Sequence, residues 1–180
     1  MIERLRNIAI IAHVDHGKTT LVDKLLQQSG TLGDRAGDIE RVMDSNDLEK
    51  ERGITILSKN TAVNYRGVKI NIIDTPGYAD FRGEVVSGIR VADATVIVIA
   101  ASAGVEVGTH QMWQMADERD LPRMVFINKM DREGADFQRT IDMIAHRFKA
   151  NPVAVQLPVG EESSFRGVVD LVEETAMMFP

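Results

Sequence analysis

The amino-acid sequence predicts an α/β domain with a mostly parallel sheet and helices on both faces. Two observations carry this prediction: short β-branched runs at residues 8–12, 94–101 and 124–127, and longer segments of helical periodicity between them. Such alternation is typical of strand–helix–strand units. The 180 residues, 44% of them apolar, are enough for one globular domain with its own core.

Composition excludes several classes of protein. The chain has no cysteine, which excludes disulfides, iron–sulfur clusters, thiolate zinc sites and thiol catalysis. The longest uncharged apolar run, residues 94–105, is too short to span a bilayer, and the charged N-terminus is unlike a signal peptide. The formal charge of −6 disfavours non-specific binding to nucleic acids. We expect a cytoplasmic monomer with no membrane contact and no sequence-specific nucleic-acid partner.

The expected elements follow one another in a simple order. Strands are expected at residues 8–12, 61–65, 68–73, 94–101 and 124–127, with Arg66 and Gly67 joining the second to the third. One helix has the apolar stripe Leu21, Val22, Leu25 and Leu26 and ends at Gly30, and another has the stripe Phe137, Ile141, Ile144 and Phe148. Between them, residues 30–54 are highly charged, which is typical of a functional or mobile connection. Residues 153–157 resemble a further strand, and we expect the apolar residues 176–179 to fray.

A candidate phosphate loop follows the first strand directly and leads into a helix. The strict phosphate-loop pattern requires glycine at the position of Ala12, but alanine is small enough for a turn at the end of a strand. Backbone amides that can wrap an anion at the helix N-terminus belong to Val14, Asp15, His16, Gly17, Lys18, Thr19 and Thr20. Lys18 would reach the β- and γ-phosphates, and the Thr19 hydroxyl would bind Mg²⁺.

The same residues have a simpler interpretation. Residues 17–19 are also compatible with an ordinary helix start that Asp15 caps. His13 and His16 raise the question of a metal site, but without cysteine or an acidic partner at ligand spacing we expect them to contribute only their backbone.

A second phosphate contact is expected after the 68–73 strand. Asp74 ends a buried strand next to the first one, where it would bind Mg²⁺ through water on the face opposite Lys18. Gly77 has no side chain, so its amide can approach a γ-phosphate closely. A plain Asp-x-Pro-Gly turn is the alternative interpretation.

A candidate base-recognition motif, residues 128–131, follows the 124–127 strand. The Asp131 carboxylate can accept two hydrogen bonds from guanine, whose N1–H and exocyclic amine are adjacent donors, whereas adenine offers neither at those positions. A site built this way rejects the wrong base strongly, because its polar group would be left unpaired. Asn128 can brace the phosphate loop, and the Lys129 methylenes can cover the base.

The three motifs occur in the order typical of a GTPase, and their sequence resembles the ribosome-dependent translational GTPases. The segments that carry the resemblance are residues 12–20, 49–56, 74–81 and 126–132. Residues 1 to about 80 look closest to the BipA/TypA group, and the rest resembles elongation factor G, including residues 167–171. The resemblance covers essentially the whole chain. It implies a P-loop NTPase fold of the Ras-like, three-layer type, with GTP and GDP as substrate and product, Mg²⁺ as cofactor and the ribosome as partner.

The resemblance also implies roles for two switch segments. The charged interval would be the first switch, in which Thr55 would join Mg²⁺ and sense the γ-phosphate. Residues 74 to about 90 would be the second, so the implied catalytic group comprises Lys18, Thr55, Gly77 and Tyr78. The family usually has histidine at the position of Tyr78, where it helps to place the attacking water. A phenol is longer and offers a single rotatable donor.

The resemblance implies two domain segments: a GTP-binding domain at residues 1–150, and the start of an inserted subdomain at 151–180. The family's Ser-Ala guanine loop would follow that insertion, so we expect a C-terminally truncated domain. The leading hypothesis is a GTPase that is slow without the ribosome. One rival is a nucleotide-dependent switch module that hardly hydrolyses GTP, because Tyr78 replaces histidine. Another is an ATP-dependent phosphoryl transferase, which would leave Asp131 unexplained.

Overall fold

The structure is a computed structural model that describes residues 4–30, 55, 57–77 and 82–179. Most of the expected first switch therefore lies outside the described residues, with Thr55 as its main described member. Tyr78, for which a catalytic role is expected, also lies outside the described residues. The predicted phosphate loop, Asp74, Gly77 and the base-recognition motif are all described.

Five strands form the main sheet and confirm the predicted α/β architecture. They are β1 (Leu5–Ala12), β2 (Lys59–Tyr65), β3 (Val68–Asp74), β4 (Ala94–Ala100) and β5 (Arg123–Asn128), in the order β2-β3-β1-β4-β5. Every neighbouring pair is parallel except β2 and β3, which form a hairpin. At its turn Arg66 and Gly67 have φ angles of 47° and 78°, the left-handed geometry that two-residue hairpin loops favour.

Helices cover both faces of the sheet, which gives the three layers predicted. They are α1 (Lys18–Gln28), α2 (Arg82–Arg90), α3 (Val107–Asp117) and α4 (Phe137–Phe148). Val22 and Leu26 of α1 pack on one face with Ile10 and Val98. On the other face the core joins α2, α3 and α4 to the sheet, through Val85, Ile89, Met112, Trp113 and Ile144. None of these helices is long and apolar enough to cross a membrane, as far as the described residues go.

One residue of the predicted α1 stripe faces solvent. Leu25 is exposed, whereas Val22 and Leu26 are almost fully buried. Three residues along a helix turn the side chain to about 60° from the starting direction. Val22 and Leu26 face the sheet, and Leu25 therefore lies at the margin of the apolar stripe.

A second, three-stranded antiparallel sheet is formed near the C-terminus. Its strands are β6 (Gln156–Val159), β7 (Gly167–Asp170) and β8 (Thr175–Met178), in that order, with a short 3₁₀ turn at Glu162–Ser164. The expected strand at 153–157 thus begins later, at Gln156. The expectation that residues 176–179 fray is wrong, because Ala176, Met177 and Met178 pair with β7 and the Phe179 amide donates to the Arg166 carbonyl.

Candidate functional site

The candidate site lies where β1, β3 and β5 end. These strands run in the same direction within the sheet, so the loops after them meet at one edge. Residues 13–17 follow β1, Gly77 follows β3 shortly after Asp74, and Lys129 and Asp131 follow β5. The three predicted motifs are therefore brought together, although more than one hundred residues separate the first from the last.

The candidate phosphate loop is held in a conformation that glycine favours. Gly17 is the N-cap of α1 with φ 87° and ψ 22°, and Asp15 also has a positive φ, 61°. No described side chain caps α1, so the alternative in which Asp15 acts as its cap is wrong. Lys18, Thr19 and Thr20 form the first turn of α1, where amides have no partner within the helix.

Lys18 and Asp74 form a buried ion pair. The Lys18 ammonium donates directly to the Asp74 carboxylate, and both side chains are almost fully buried. The expectation that Asp74 lies on the face opposite Lys18 is therefore wrong for this structure. Asp74 lies in register with Ile10 of the neighbouring β1, close enough for its carboxylate to meet the Lys18 ammonium group.

Two threonine hydroxyls lie close to each other at the start of α1. The side-chain oxygens of Thr19 and Thr55 are 3.4 Å apart, and Thr55 is buried. Both are hard oxygen donors of the kind that Mg²⁺ prefers. The single described member of the expected first-switch motif is thus placed at the start of α1.

Gly77 lies directly against the candidate phosphate loop. A Cβ added at Gly77 would be 3.1 Å from the Ala12 carbonyl oxygen and 3.4 Å from the Val14 nitrogen. Two residues earlier, the buried Thr75 hydroxyl donates to the Ile10 carbonyl at 3.0 Å. This hydrogen bond attaches the turn after β3 to β1. The sequence pattern indicated a turn at this position but not the hydrogen bond.

The first two residues of the candidate base-recognition motif donate hydrogen bonds to the candidate phosphate loop. The Asn128 side-chain amide donates to the His16 carbonyl at 2.9 Å, as expected of a bracing residue. The Lys129 ammonium donates to the Asp15 carbonyl at 2.5 Å. The Asp131 carboxylate is exposed, with the Arg132 guanidinium nitrogen Nε at 3.7 Å.

Both loop histidines use their side chains, contrary to the expectation that only their backbones matter. The buried His16 ring contacts the Val98 carbonyl through Nδ1 at 3.2 Å and the Glu106 carboxylate through Nε2 at 2.7 Å. His13 Nε2 lies 3.5 Å from the same Glu106 oxygen, and the two rings meet edge to face. Glu106 is ninety residues from His16 in sequence, so no local pattern could have revealed it.

A second glutamate ties the base-recognition motif to the small sheet. The Glu162 amide donates to the Met130 carbonyl at 2.8 Å, and its carboxylate accepts from the Gly134 amide at 2.7 Å. Phe165 packs against the small cluster that contains Met130. The loop carrying Asp131 is therefore supported from the C-terminal segment.

Comparison with known proteins assigns the family. The sequence model described as "Elongation factor Tu GTP binding domain" matches residues 3–178. The chain belongs to this family. It is 47% identical over 179 residues to elongation factor G of Neorickettsia sennetsu, covering 98% of the chain and 26% of that protein. It also resembles a solved structure from Thermus thermophilus, with a TM-score of 0.86, 31% identity and coverage of 97% of the chain and 26% of the other.

The match to the elongation factor Tu GTP-binding family confirms the resemblance to translational GTPases and the predicted fold. The chain spans about a quarter of the length of both relatives. Within the family domain, the described site combines the candidate phosphate loop, a buried lysine–aspartate pair, two neighbouring threonine hydroxyls and an exposed aspartate. Glu106 and Glu162 are additions that only the structure reveals.

Proposed function

We propose that this chain binds GTP and GDP with Mg²⁺ and forms the GTP-hydrolysing domain of a translation factor. The observation that carries the proposal is the direct contact between the phosphate loop and the base-recognition motif, through Asn128 and Lys129. A nucleotide has its phosphates and base at opposite ends of one molecule. A site that joins a phosphate loop to a base-recognition motif suits such a ligand.

In this proposal the phosphate end is held by the loop and by Lys18. The amides of Val14, Asp15, His16, Gly17, Lys18, Thr19 and Thr20 lie at the N-terminus of α1, where an anion is favoured. Lys18 would exchange part of its contact with Asp74 for the β- and γ-phosphates. The glycine at position 77 would let its amide approach the γ-phosphate, because a side chain there would meet the loop instead.

The oxygen donors beside Lys18 fit Mg²⁺. Thr19 and Thr55 would bind the ion through their hydroxyls, and Asp74 would bind it through water. When bound, Mg²⁺ neutralises charge that develops on the phosphate oxygens during transfer. The chain's own contribution is to hold the phosphates in place and to set Lys18 against them, since positioning and charge stabilisation dominate this chemistry.

The base end would be recognised by Asp131. Its carboxylate is exposed and therefore accessible, and two adjacent guanine donors match its two oxygens. Lys129 holds the Asp15 carbonyl with its ammonium group, so its methylenes form the side of the proposed base pocket.

Hydrolysis would be in-line attack of water on the γ-phosphorus, slow without a ribosome. A switch module with little hydrolysis is the second candidate, which Tyr78 favours because the related factors usually have histidine there. The similarity to elongation factor G supports the ribosome as partner and the cytoplasm as location. Single-turnover GTP hydrolysis with and without ribosomes separates the two candidates, since only the GTPase would be stimulated.

Titration with fluorescent GDP, with ATP as competitor, tests nucleotide binding. We expect GDP to bind and ATP to compete poorly, whereas equal competition would favour the ATP-dependent transferase. In Asp131→Asn the amide gains a donor, so preference should move from guanosine to xanthosine diphosphate, whose C2 carbonyl accepts. Asp120→Asn is the matched control, because Asp120 is exposed and lies in a turn outside the site. Unchanged GDP affinity in Asp131→Asn would contradict the base assignment.

A further inference from the structure

We propose that Glu106 is a positioning residue for the phosphate loop, acting through the imidazole of His16. This inference rests on the proposed nucleotide binding and adds a residue that lies outside all three motifs. Glu106 is the N-cap of α3 and precedes its first turn, whereas the loop follows β1. Its role would be to fix the orientation of the loop amides before a phosphate arrives.

The His16 ring has two contacts that accept hydrogen bonds. Nδ1 lies 3.2 Å from the Val98 carbonyl oxygen, and Nε2 lies 2.7 Å from a Glu106 carboxylate oxygen. Both ring nitrogens therefore face an oxygen atom with hydrogen-bonding capacity. The ring is 2% exposed, and at that depth an unmatched polar group would be costly. Glu106 therefore supplies the partner that allows this histidine to be buried.

His16 is also the residue whose backbone the base-recognition motif holds. Its carbonyl accepts from Asn128 at 2.9 Å, and the next residue is Gly17, the N-cap of α1. The centre of the loop is thus fixed by β4, by the start of α3 and by the end of β5. Removing the contact with Glu106 would leave the His16 ring without one of these contacts. The ring would then be less firmly held next to the amides proposed to bind phosphate.

Glu106 and Thr109 form a capping box at the start of α3, but capping alone does not explain a glutamate at position 106. Short side chains such as Ser, Thr, Asp and Asn are preferred at an N-cap, because they reach back to the first amides. The Glu106 amide itself donates to Thr109 Oγ1 at 3.4 Å, while its carboxylate reaches His16 and His13. Gly108 lies against the His13 ring, where a Cβ would be 3.1 Å from ring carbon Cγ. The first turn of α3 is therefore built around the two loop histidines.

Glu106→Asp separates positioning from structural support. Aspartate is the better N-cap, so the free energy of unfolding should stay level or rise, yet the carboxylate retreats by one methylene and loses Nε2 of His16. We expect GDP affinity to fall about tenfold, because the hydrogen bond that holds the His16 ring is lost. Guanosine affinity should stay within about twofold, since guanosine has no phosphate. Glu106→Gln keeps the reach, so it should recover most of the GDP affinity.

The matched control is Glu118→Asp, the same change at the exposed C-cap of α3, which should alter neither affinity nor stability. GDP affinity within twofold of the parent in Glu106→Asp, or an equal loss for guanosine, would overturn the proposal. Hydrogen exchange of amides 14–19 without nucleotide gives a second measurement, and it should accelerate in Glu106→Asp only. Unchanged hydrogen exchange would refute the positioning role, whether or not the parent chain binds GDP. Failure of the parent chain to bind GDP would instead refute the proposed function.

Discussion

Gly17→Ala tests whether the phosphate loop and the base-recognition motif act as one unit. Gly17 has φ 87°, so any other residue costs about 1–2 kcal/mol there. A methyl group at this position would also collide with the Asn128 amide nitrogen. Asn128 would have to move and give up its hydrogen bond to the His16 carbonyl, which contributes about 1 kcal/mol. The expected loss of unfolding free energy is therefore about 2–3 kcal/mol.

Gly67→Ala provides the control that isolates the Asn128 contact. Gly67 has a similar φ of 78° in the β2–β3 turn, and no described atom lies within 4 Å of a Cβ built there. It should lose only the conformational part, about 1–2 kcal/mol. The change in the unfolded chain is the same for both substitutions, so it cancels in the comparison.

Urea unfolding and fluorescent GDP binding measure the two consequences of Gly17→Ala. We expect this variant to be about 1 kcal/mol less stable than Gly67→Ala and to bind GDP at least about tenfold more weakly. Gly67→Ala should bind GDP as the parent does. Equal stability and equal GDP affinity in the two variants would refute the coupling between Gly17 and Asn128.

Two further predictions concern other parts of the fold. The pKa of Asp170 lies below its ordinary 3.8, because the Gln156 side chain and two backbone amides donate to its carboxylate. The stabilisation from these hydrogen bonds is present above the ordinary pKa and is lost as pH falls through the lowered pKa. NMR signals of the small sheet should therefore change in that acidic range. They should change less in Asp170→Asn. Phe148 stacks on Trp113 with ring centroids 4.2 Å apart, so Phe148→Leu should lower stability by about 1 kcal/mol and alter the fluorescence of the single tryptophan.

The main sheet was predictable because strand residues carry their own signal. The β-branched runs located β1 to β5 to within a few residues, and the Arg66–Gly67 turn identified the hairpin. The interpretation did not assign α3, whose buried positions include Thr109 among the apolar residues and whose first turn carries a glycine. Leu25 was misplaced because an apolar residue at the margin of a stripe matches the helical period almost as well as one at its centre.

The candidate site was predictable as motifs but not as contacts. The sequence places Lys18, Asp74 and Asn128 after buried strands, which is enough to expect them at one edge of the sheet. The expected adjacency of β1 and β3 does not say which side chains meet, so the ion pair between Lys18 and Asp74 required the structure. Glu106 and Glu162 lie 90 and 32 residues from their partners His16 and Met130, too far apart for any periodic pattern to connect them.

The position of β5 has a consequence for how the chain behaves in solution. β5 is the last strand in the order of the main sheet, so within the described part of the chain it has a sheet neighbour on one side only. Met124 and Phe126 on this strand are both exposed. A strand with unpaired backbone groups and apolar side chains is a template for adding another strand, from the same polypeptide or from a second molecule. Self-association would therefore begin by addition of a strand at β5, rather than at the more polar β2.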